Sequence, residues 1–340
     1  MRSPIRHRLL AVAAAALLAV TGWSGVARAG TYAPVDRPGP ELTAPRLADS
    51  LDCTADVRNA TREPVLLTPA TTVDSEQNFG FTYERLFRRL GIPYCTSDSP
   101  VDRYNMGDMQ VRAQYVTYAI REMYKLAGRP IAVMGHSQGG MIMRWSLRFW
   151  PDTRHMVDDV IGMAGTNHGS VVVPALCVPD CAPALWQQRA SSEFVQALNS
   201  GQETFPGISY TEIYSRTDEF VQPNLDDTGT SSLHGGGGNI TNVAVQEVCP
   251  LAVPEHLLIG TLDPVTSALA IDALTHPGPA DPGRIERSVC GRLLMPGAHP
   301  VTGPLTFATL TAQVSAQLTV AAHRVPSEPA LACYVTARCP

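Results

Sequence analysis

The sequence lacks an excess of basic residues, since 26 lysines and arginines stand against 31 aspartates and glutamates, for a formal net charge of −5. Proteins that bind nucleic acid usually concentrate positive charge on one face, where it neutralises phosphates. A mildly acidic chain therefore argues against nucleic acid as a partner.

Long apolar runs are also scarce. The run of residues 9–20 is 12 residues long, well short of the roughly 20 that a helix needs to cross a bilayer. Arginines precede it, and Ala27 and Ala29 form a small-residue cleavage site, a combination typical of a secretory signal peptide. We therefore predict a signal peptide over residues 1–29, a secreted, extracellular protein, and no transmembrane segment in the mature chain.

Internal repeats are absent, and the only low-complexity run is the glycine run of residues 235–238, which predicts a flexible loop. Residues 30–50 are rich in proline and polar residues without sustained periodicity, which indicates an extended N-terminal arm. The remaining composition is that of a globular protein with a substantial core. We therefore predict a single domain over residues 51–340 and expect it to be a monomer.

All eight cysteines lie outside the predicted leader, and export would place them where disulfides persist. Eight cysteines allow many pairings, so their spacing alone does not choose among them. A zinc site is the competing use, but the clustered spacing that tetrahedral ligation usually requires is missing, so no metal site is predicted. Pairing of neighbours is plausible and would join Cys53 with Cys95, Cys177 with Cys181, Cys249 with Cys290, and Cys333 with Cys339.

Short apolar runs alternate with amphipathic segments along the chain. Strands are predicted at residues 65–67, 131–134, 160–163, 210–214 and 242–248, and helices at residues 109–126 and 141–149. This alternation indicates an α/β fold with a mostly parallel central sheet and helices on both faces. In such sheets the ligand site lies beyond the carboxyl ends of the strands.

One pentapeptide carries a chemical signature. Gly135-His136-Ser137-Gln138-Gly139 matches Gly-x-Ser-x-Gly and lies between a predicted strand and a predicted helix, which is the setting of the nucleophile elbow in α/β hydrolases. The turn is so tight that side chains at its glycines would collide with neighbouring backbone. A glycine-rich turn with an inert serine is the alternative, but the flanking elements favour Ser137 as a nucleophile.

A serine hydroxyl is a poor nucleophile at neutral pH, so it needs a histidine to take its proton and an acid to hold that histidine. In this fold the acid and then the histidine follow the serine. Asp218 follows a predicted strand, with Glu219, Asp226 and Asp227 as its alternatives, and His256 comes 38 residues later. The other histidines precede the acid or lie in glycine-rich, proline-rich or helical surroundings.

The tetrahedral intermediate of such a reaction carries an oxyanion, and each N–H donor aimed at it contributes about 3 kcal/mol. One donor is expected from the backbone of Gln138, and the second from the loop after residues 65–67. Thr71 lies in that loop and offers both a backbone N–H and a hydroxyl. Taken alone, residues 69–72 are only a polar turn.

The chain resembles the family of the lipase B of Candida antarctica and its bacterial relatives, from about Cys53 to the C-terminus. The segments that carry the resemblance are Ser137-Gln138-Gly139-Gly140, Trp186-Gln187-Gln188, Tyr214-Ser215-Arg216-Thr217-Asp218-Glu219 and Val221-Gln222-Pro223. The resemblance implies an α/β-hydrolase fold with Ser137, Asp218 and His256 as the triad and Thr71 and Gln138 at the oxyanion hole. It also implies the disulfides 53–95 and 249–290 and a C-terminal bridge near 333–339, whereas Cys177 and Cys181 are an addition.

Three residues depart from that family near the expected substrate pocket. His136 stands where the fungal enzyme has a tryptophan that floors the alcohol pocket, Phe220 replaces an isoleucine, and Thr166 replaces a buried aspartate. Together with Trp186, these are the predicted pocket residues. The mobile helix over the family's pocket corresponds to residues 172–188, which a Cys177–Cys181 bridge would stiffen.

The sequence therefore predicts a secreted lipase or carboxylesterase that forms an acyl-enzyme and needs no metal or organic cofactor. Its partner is an ester or lipid substrate, dissolved or at a lipid–water interface. Two alternatives remain open: a polyester or amide hydrolase with the same triad, and a catalytically silent binding protein of this fold.

Overall fold

A seven-stranded sheet organises the computed structural model, which describes residues 32–320, 324–336 and 338. The strands are β1 (Leu51–Cys53), β2 (Val65–Thr68), β3 (Tyr94–Ser97), β4 (Ile131–His136), β5 (Val157–Met163), β6 (Ser209–Tyr214) and β7 (Asn239–Ala244). Their order in the sheet is β1-β3-β2-β4-β5-β6-β7. Only β1 pairs antiparallel with its neighbour, and the other pairs are parallel. The predicted mostly parallel sheet is confirmed.

Nine α-helices connect or flank the described strands. They are α1 (Tyr83–Leu90), α2 (Met109–Ala127), α3 (Gln138–Phe149), α4 (Pro183–Gln187), α5 (Glu193–Leu198), α6 (Val245–Val248), α7 (His256–Ile259), α8 (Pro264–Thr275) and α9 (Thr302–Thr319). The long helix α2 begins where the carboxylate of Asp108 accepts the N–H of Gln110, and it ends at Gly128, whose φ of 68° suits glycine.

Side chains alternate between the two faces of the sheet, as strand geometry requires. In β4, Ile131 and Val133 pack in one core with α2, α3 and α5, whereas Ala132 and Met134 pack in a second core with α1 and α8. Helices therefore cover both faces of the sheet, which confirms the predicted α/β-hydrolase layers.

One predicted strand extends too far. The apolar run of residues 242–248 leaves the sheet at Ala244, and Val245–Val248 form α6. The carboxylate of Glu247 accepts the N–H of Ala244, and the N–H of Cys249 donates to the carbonyl of Val245. A short apolar run does not distinguish strand from helix by periodicity, and here local hydrogen bonds decide the outcome.

The 20-residue stretch His256–Thr275 is long and apolar enough to cross a membrane by length and composition, with a mean hydropathy of 1.5 over an 18-residue window. The prediction that the mature chain has no transmembrane segment overlooked this stretch. In the structure this stretch contains α7 and α8, and 72% of the 18-residue window is buried inside the protein. Its apolar character is therefore explained by its place in the core.

Residues 32–46 form no helix or strand, yet they lie against the body of the protein. The N–H of Ala33 donates to the carbonyl of Val335, and the indole N–H of Trp150 donates to the carbonyl of Pro40. The compact unit accordingly begins at Tyr32. The predicted signal peptide, residues 1–29, lies outside the described residues.

Three disulfides are present among the described residues: Cys53–Cys95, Cys177–Cys181 and Cys249–Cys290. They are the pairs suggested by neighbour pairing. The fourth predicted pair includes Cys339, which lies outside the described residues. The described residues contain no cluster of three or more His, Cys, Asp or Glu side chains that could hold a metal ion.

A buried carboxyl pair lies near the amino ends of the strands, away from the predicted site. Burial, followed by the charges of Asp159 and Asp158, raises the pKa of Glu63 to about 8. Burial and the charge of Asp158 also raise the pKa of Asp159 to about 7. The folded chain therefore keeps protons here that the unfolded chain releases near pH 4.5, and the folded state loses stability as pH rises from that value to about 8.

Replacing Glu63 with glutamine is expected to remove this loss. The melting temperature of Glu63→Gln should exceed that of the unmodified protein by about 1–2 °C at pH 9, as expected for an increase of about 1 kcal/mol in the free energy of unfolding of a chain of this length. It should match that of the unmodified protein near pH 4. Glu122→Gln is the control, because it changes charge equally at a glutamate paired only with Lys125. Equal melting temperatures of Glu63→Gln and the parent at pH 9 would contradict the expectation.

Candidate active site

The sharp turn between β4 and α3 places Ser137 at the carboxyl edge of the sheet. Ser137 has φ 56° and ψ −118°, outside the ordinary regions for a residue with a side chain. A Cβ at Gly135 would lie 2.4 Å from the carbonyl carbon of Gly139, and one at Gly139 would lie 2.1 Å from the carbonyl oxygen of Thr68. Both glycines of the motif are therefore required by close backbone approach.

The structure brings Ser137, His256 and Asp218 together from three separate segments. Nε2 of His256 lies 3.0 Å from Oγ of Ser137, and Nδ1 of His256 lies 2.8 Å from Oδ2 of Asp218. Asp218 lies in the loop after β6, and His256 is the first residue of α7. The three side chains form one continuous hydrogen-bonded chain, with Ser137 2% and His256 7% exposed.

The environment of His256 sets its charge. Burial acts to lower the pKa of His256. The charge and hydrogen bond of Asp218, followed by the charges of Glu219 and Glu255, outweigh burial and raise this pKa above its ordinary value of 6.5. The imidazolium is thus stabilised at this position, which is what a base needs after it accepts a proton. The ring is a proton acceptor above that raised pKa.

Asp218 is held by the backbone that follows it. Its Oδ1 accepts the N–H groups of Phe220 and Val221, each at 2.8 Å, which leaves Oδ2 directed at His256. The alternatives Asp226 and Asp227 lie on an exposed turn, where Asp226 accepts from Thr228. Glu219 binds the backbone N–H of His256 and not its ring.

Hydrogen-bond donors lie beside Ser137. The backbone N–H of Gln138 is the first of α3, and neither it nor the N–H of Thr71 donates to an acceptor in the described residues. Asn78 and Asn105 hold the loop that carries Thr71: Oδ1 of Asn78 accepts the N–H of Ala70, and Nδ2 of Asn105 donates to the carbonyls of Ala70 and Val73. Sequence analysis missed both asparagines, since nothing in their local sequence marks them.

A cavity of about 210 Å³ opens above Ser137 and His256. Its apolar wall comes from α4, α7, α9 and the loop after β6, with these side chains: Leu185, Phe220, Leu257, Val314 and Leu318. Among the predicted pocket residues, Phe220 lies in this wall, and its ring packs on that of His256 at 5.3 Å between centroids.

The prediction needs correction for the other three pocket residues, which do not line this cavity. Trp186 points away and donates its indole N–H to the carbonyl of Val325, with the guanidinium of Arg189 over its ring. Thr166 is fully buried and donates to Oε1 of Gln188.

His136 lies beneath the site. Burial, followed by repulsion from His256, lowers the pKa of His136 to about 3, so its ring is neutral. Its nitrogens lie 3.2 Å from Oδ1 of Asn78 and 3.1 Å from the carbonyl oxygen of His256. A Cβ at Gly260 would lie 2.1 Å from Cγ of His136, so that glycine makes room for the ring. His136 thus supports the backbone of His256 from below.

Residues 172–188, which the resemblance predicts to lie over the pocket, contain a 3₁₀ turn (Val173–Leu176), the Cys177–Cys181 disulfide and α4, and among them Leu185 lines the cavity. Cys181 also exchanges backbone hydrogen bonds with Val325, at 2.8 and 3.3 Å. The bridge that was expected to stiffen this segment is present.

Comparison with known proteins agrees with this geometry. The family model for class 2 lipases matches residues 120–244. Lipase B of Pseudozyma antarctica is 30% identical over 251 residues, which cover 71% of this chain and 72% of that protein. The crystal structure of Aspergillus fumigatus lipase B superposes with a TM-score of 0.78 at 29% identity, covering 91% of this chain and 75% of that one.

Fold and similarity together define a lipase-family serine hydrolase, an α/β hydrolase that acts on esters. Within that class, the chain belongs to the lipase B family. The resemblance inferred from the sequence segments is thereby confirmed.

Proposed function

We propose that this protein is a secreted carboxylic ester hydrolase, a triacylglycerol lipase or carboxylesterase, with Ser137, His256 and Asp218 as its catalytic triad. The observation that carries the proposal is the hydrogen-bonded chain from Ser137 through His256 to Asp218 at the foot of an apolar cavity. Secretion is supported by the leader-like residues 1–29 and by three disulfides, which persist in oxidising surroundings.

The reaction begins when Nε2 of His256 takes the proton of Ser137 and Oγ attacks the ester carbonyl carbon. The carbonyl oxygen becomes an oxyanion, which accepts hydrogen bonds from the N–H of Gln138 and from the N–H and hydroxyl of Thr71. Collapse breaks the ester bond, and the alcohol leaves with the proton from His256. A water molecule, deprotonated by His256, then releases the acid from the acyl-enzyme and regenerates Ser137.

Asp218 contributes without changing its own protonation. Its carboxylate keeps the proton of the resting imidazole on Nδ1, so that Nε2 faces Ser137 as an acceptor. It also stabilises the positive charge that His256 acquires in both steps, in line with the raised pKa of that ring.

The acyl group is assigned to the apolar wall, and this assignment is tested with p-nitrophenyl esters of increasing acyl length, kept below their solubility limits. We expect kcat/KM to rise by up to about fourfold per methylene until the chain outgrows the wall, since each buried methylene contributes about 0.8 kcal/mol. The corresponding anilides should be turned over far more slowly. Leu318→Ala should flatten this rise, because it removes part of the wall, whereas Leu305→Ala, at an exposed leucine of the same helix, should leave it unchanged.

Failure of the folded protein to hydrolyse any ester would favour a silent binding protein. Anilides turned over faster than esters would instead identify an amidase with the same machinery.

A further inference from the structure

The hydroxyl oxygen of Thr71 is contacted by two buried glutamine side chains. Nε2 of Gln138 lies 3.1 Å from Oγ1 of Thr71, and Nε2 of Gln188 lies 2.9 Å from the same atom. Both glutamines are fully buried, whereas Thr71 lines the cavity together with Ser137. The hydroxyl therefore sits between a buried polar network and the substrate space.

The orientation of each glutamine amide is fixed by a backbone carbonyl, which can only accept hydrogen bonds. Nε2 of Gln188 also donates to the carbonyl of Ala184 at 3.1 Å, and Nε2 of Gln138 also donates to the carbonyl of Asn105 at 2.9 Å. Turning either amide around would place its oxygen against that carbonyl oxygen. Both side chains must therefore present N–H groups, and not oxygens, to Thr71.

Thr166 strengthens this orientation at Gln188. The hydroxyl of Thr166 lies 3.1 Å from Oε1 of Gln188, an atom that can only accept, so Thr166 is the donor. All the polar atoms of the Gln188 side chain are thus engaged, and its amide group is held in one orientation at the edge of the cavity.

A threonine hydroxyl has two acceptor positions and one proton. The N–H groups of Gln138 and Gln188 occupy both acceptor positions of the Thr71 hydroxyl. The hydroxyl can therefore form a further hydrogen bond only by donating its proton. Within the described residues this hydroxyl donates to no acceptor. Its proton is therefore directed to whatever occupies the cavity beside Ser137.

We propose that Gln188 is a positioning residue: with the side chain of Gln138, it forces the hydroxyl of Thr71 to act as a donor to the oxyanion. The inference rests on the proposed function, because it assigns the acceptor as the oxyanion formed at Ser137. A hydroxyl that could rotate freely would part of the time point its oxygen lone pairs, and not its proton, at the oxyanion. That orientation would repel the negative charge that develops during the reaction. Preorganised donors avoid that reorientation during the reaction.

Gln188→Met is the first test, because methionine keeps the length of the side chain and removes its donors. We expect kcat for p-nitrophenyl butyrate to fall about tenfold with KM nearly unchanged, a fraction of the loss that removing a whole oxyanion donor causes. Gln187→Met is the matched control, since Gln187 is equally buried but contacts Asp108 and Met109 instead of Thr71. That control should keep the parent kcat.

The decisive comparison repeats Gln188→Met in a Thr71→Val background. Thr71→Val alone should lower kcat about 10²-fold. If Gln188 acts only through the Thr71 hydroxyl, Gln188→Met should have no further effect once that hydroxyl is gone, which is the coupling that a double-mutant cycle measures. Should Gln188→Met prevent folding, Thr166→Val is tested instead in the parent protein and in the Thr71→Val variant. We expect Thr166→Val to lower kcat of the parent by less than Gln188→Met would, and to leave kcat of Thr71→Val unchanged.

Three results would overturn the inference. An equal loss of kcat from Gln188→Met in both backgrounds would show a general structural role, as would an equal loss in Gln187→Met. A Thr71→Val variant with the parent kcat, alongside an inactive Ser137→Ala, would remove the hydroxyl from the reaction while leaving the proposed triad intact. Activity retained in Ser137→Ala would count against the proposed function itself.

Discussion

Ser137→Ala is expected to lower kcat for ester hydrolysis by at least about 10⁵-fold, because no other group replaces the attacking oxygen. It should also abolish covalent labelling by a fluorophosphonate probe, which reacts with activated serines. Folding should be almost unaffected. Serine and alanine both carry a Cβ, so the strain at φ 56° is common to both, and only the contact with His256 is lost.

Ser146→Ala provides the matched control for this experiment. Ser146 is a fully buried serine in α3, the helix that follows Ser137, and its hydroxyl contacts Thr117 and the carbonyl of Ala113. The variant should retain turnover and labelling. Substantial ester hydrolysis or labelling by Ser137→Ala would show that another residue is the nucleophile.

Asp218→Asn is expected to lower kcat by about 10⁴-fold for a reason specific to this site. The N–H groups of Phe220 and Val221 would hold the amide oxygen of the asparagine where Oδ1 now lies, so its NH₂ group would face Nδ1 of His256. The ring would then have to accept at Nδ1 and carry its proton on Nε2. In that tautomer His256 cannot take the proton of Ser137.

The pH profile supplies a second measure of the same change. Asp218 helps to raise the pKa of His256, so the residual activity of Asp218→Asn should extend to lower pH than that of the parent. Asp226→Asn serves as the control, because Asp226 lies on an exposed turn and binds only Thr228. A severe loss in Asp226→Asn with normal activity in Asp218→Asn would reassign the acid.

The position of Ser137 could be predicted from the sequence because a tight strand-to-helix turn places strict steric demands on the residues around it. The tight turn at Ser137 demands glycine at positions 135 and 139, and the structure shows backbone within 2.4 Å of a Cβ built at either one. The strand that precedes the turn, β4, is fully buried, and its apolar run ends at a glycine, a pattern consistent with a buried strand. Chain order and resemblance then selected Asp218 and His256, which the structure brings into contact.

The residues that line the substrate pocket could not be predicted from the sequence alone, because they depend on the direction in which each side chain points. His136, which precedes the nucleophile, was predicted to line the substrate pocket. It lies instead on the same face of β4 as Met134 and Ala132, and its ring contacts the carbonyl of His256 beneath the site. Trp186 and Gln188 are close neighbours in sequence, yet one points toward Val325 and the other toward Thr71. Such directions follow from packing between distant segments, which no local pattern contains.

Helix α9 supplies part of the apolar wall that is proposed to hold the acyl group, and it carries none of the proposed catalytic residues. Thr71, Ser137, Asp218 and His256 precede α9, whereas that helix supplies Val314 and Leu318 to the cavity. α9 has no charged residue over its 18 positions and contributes none of the groups that transfer a proton. If the proposed function holds, substitutions along this one helix change the range of acids that the enzyme accepts while the reacting atoms stay where they are. Acyl selectivity can then diverge without loss of catalytic activity.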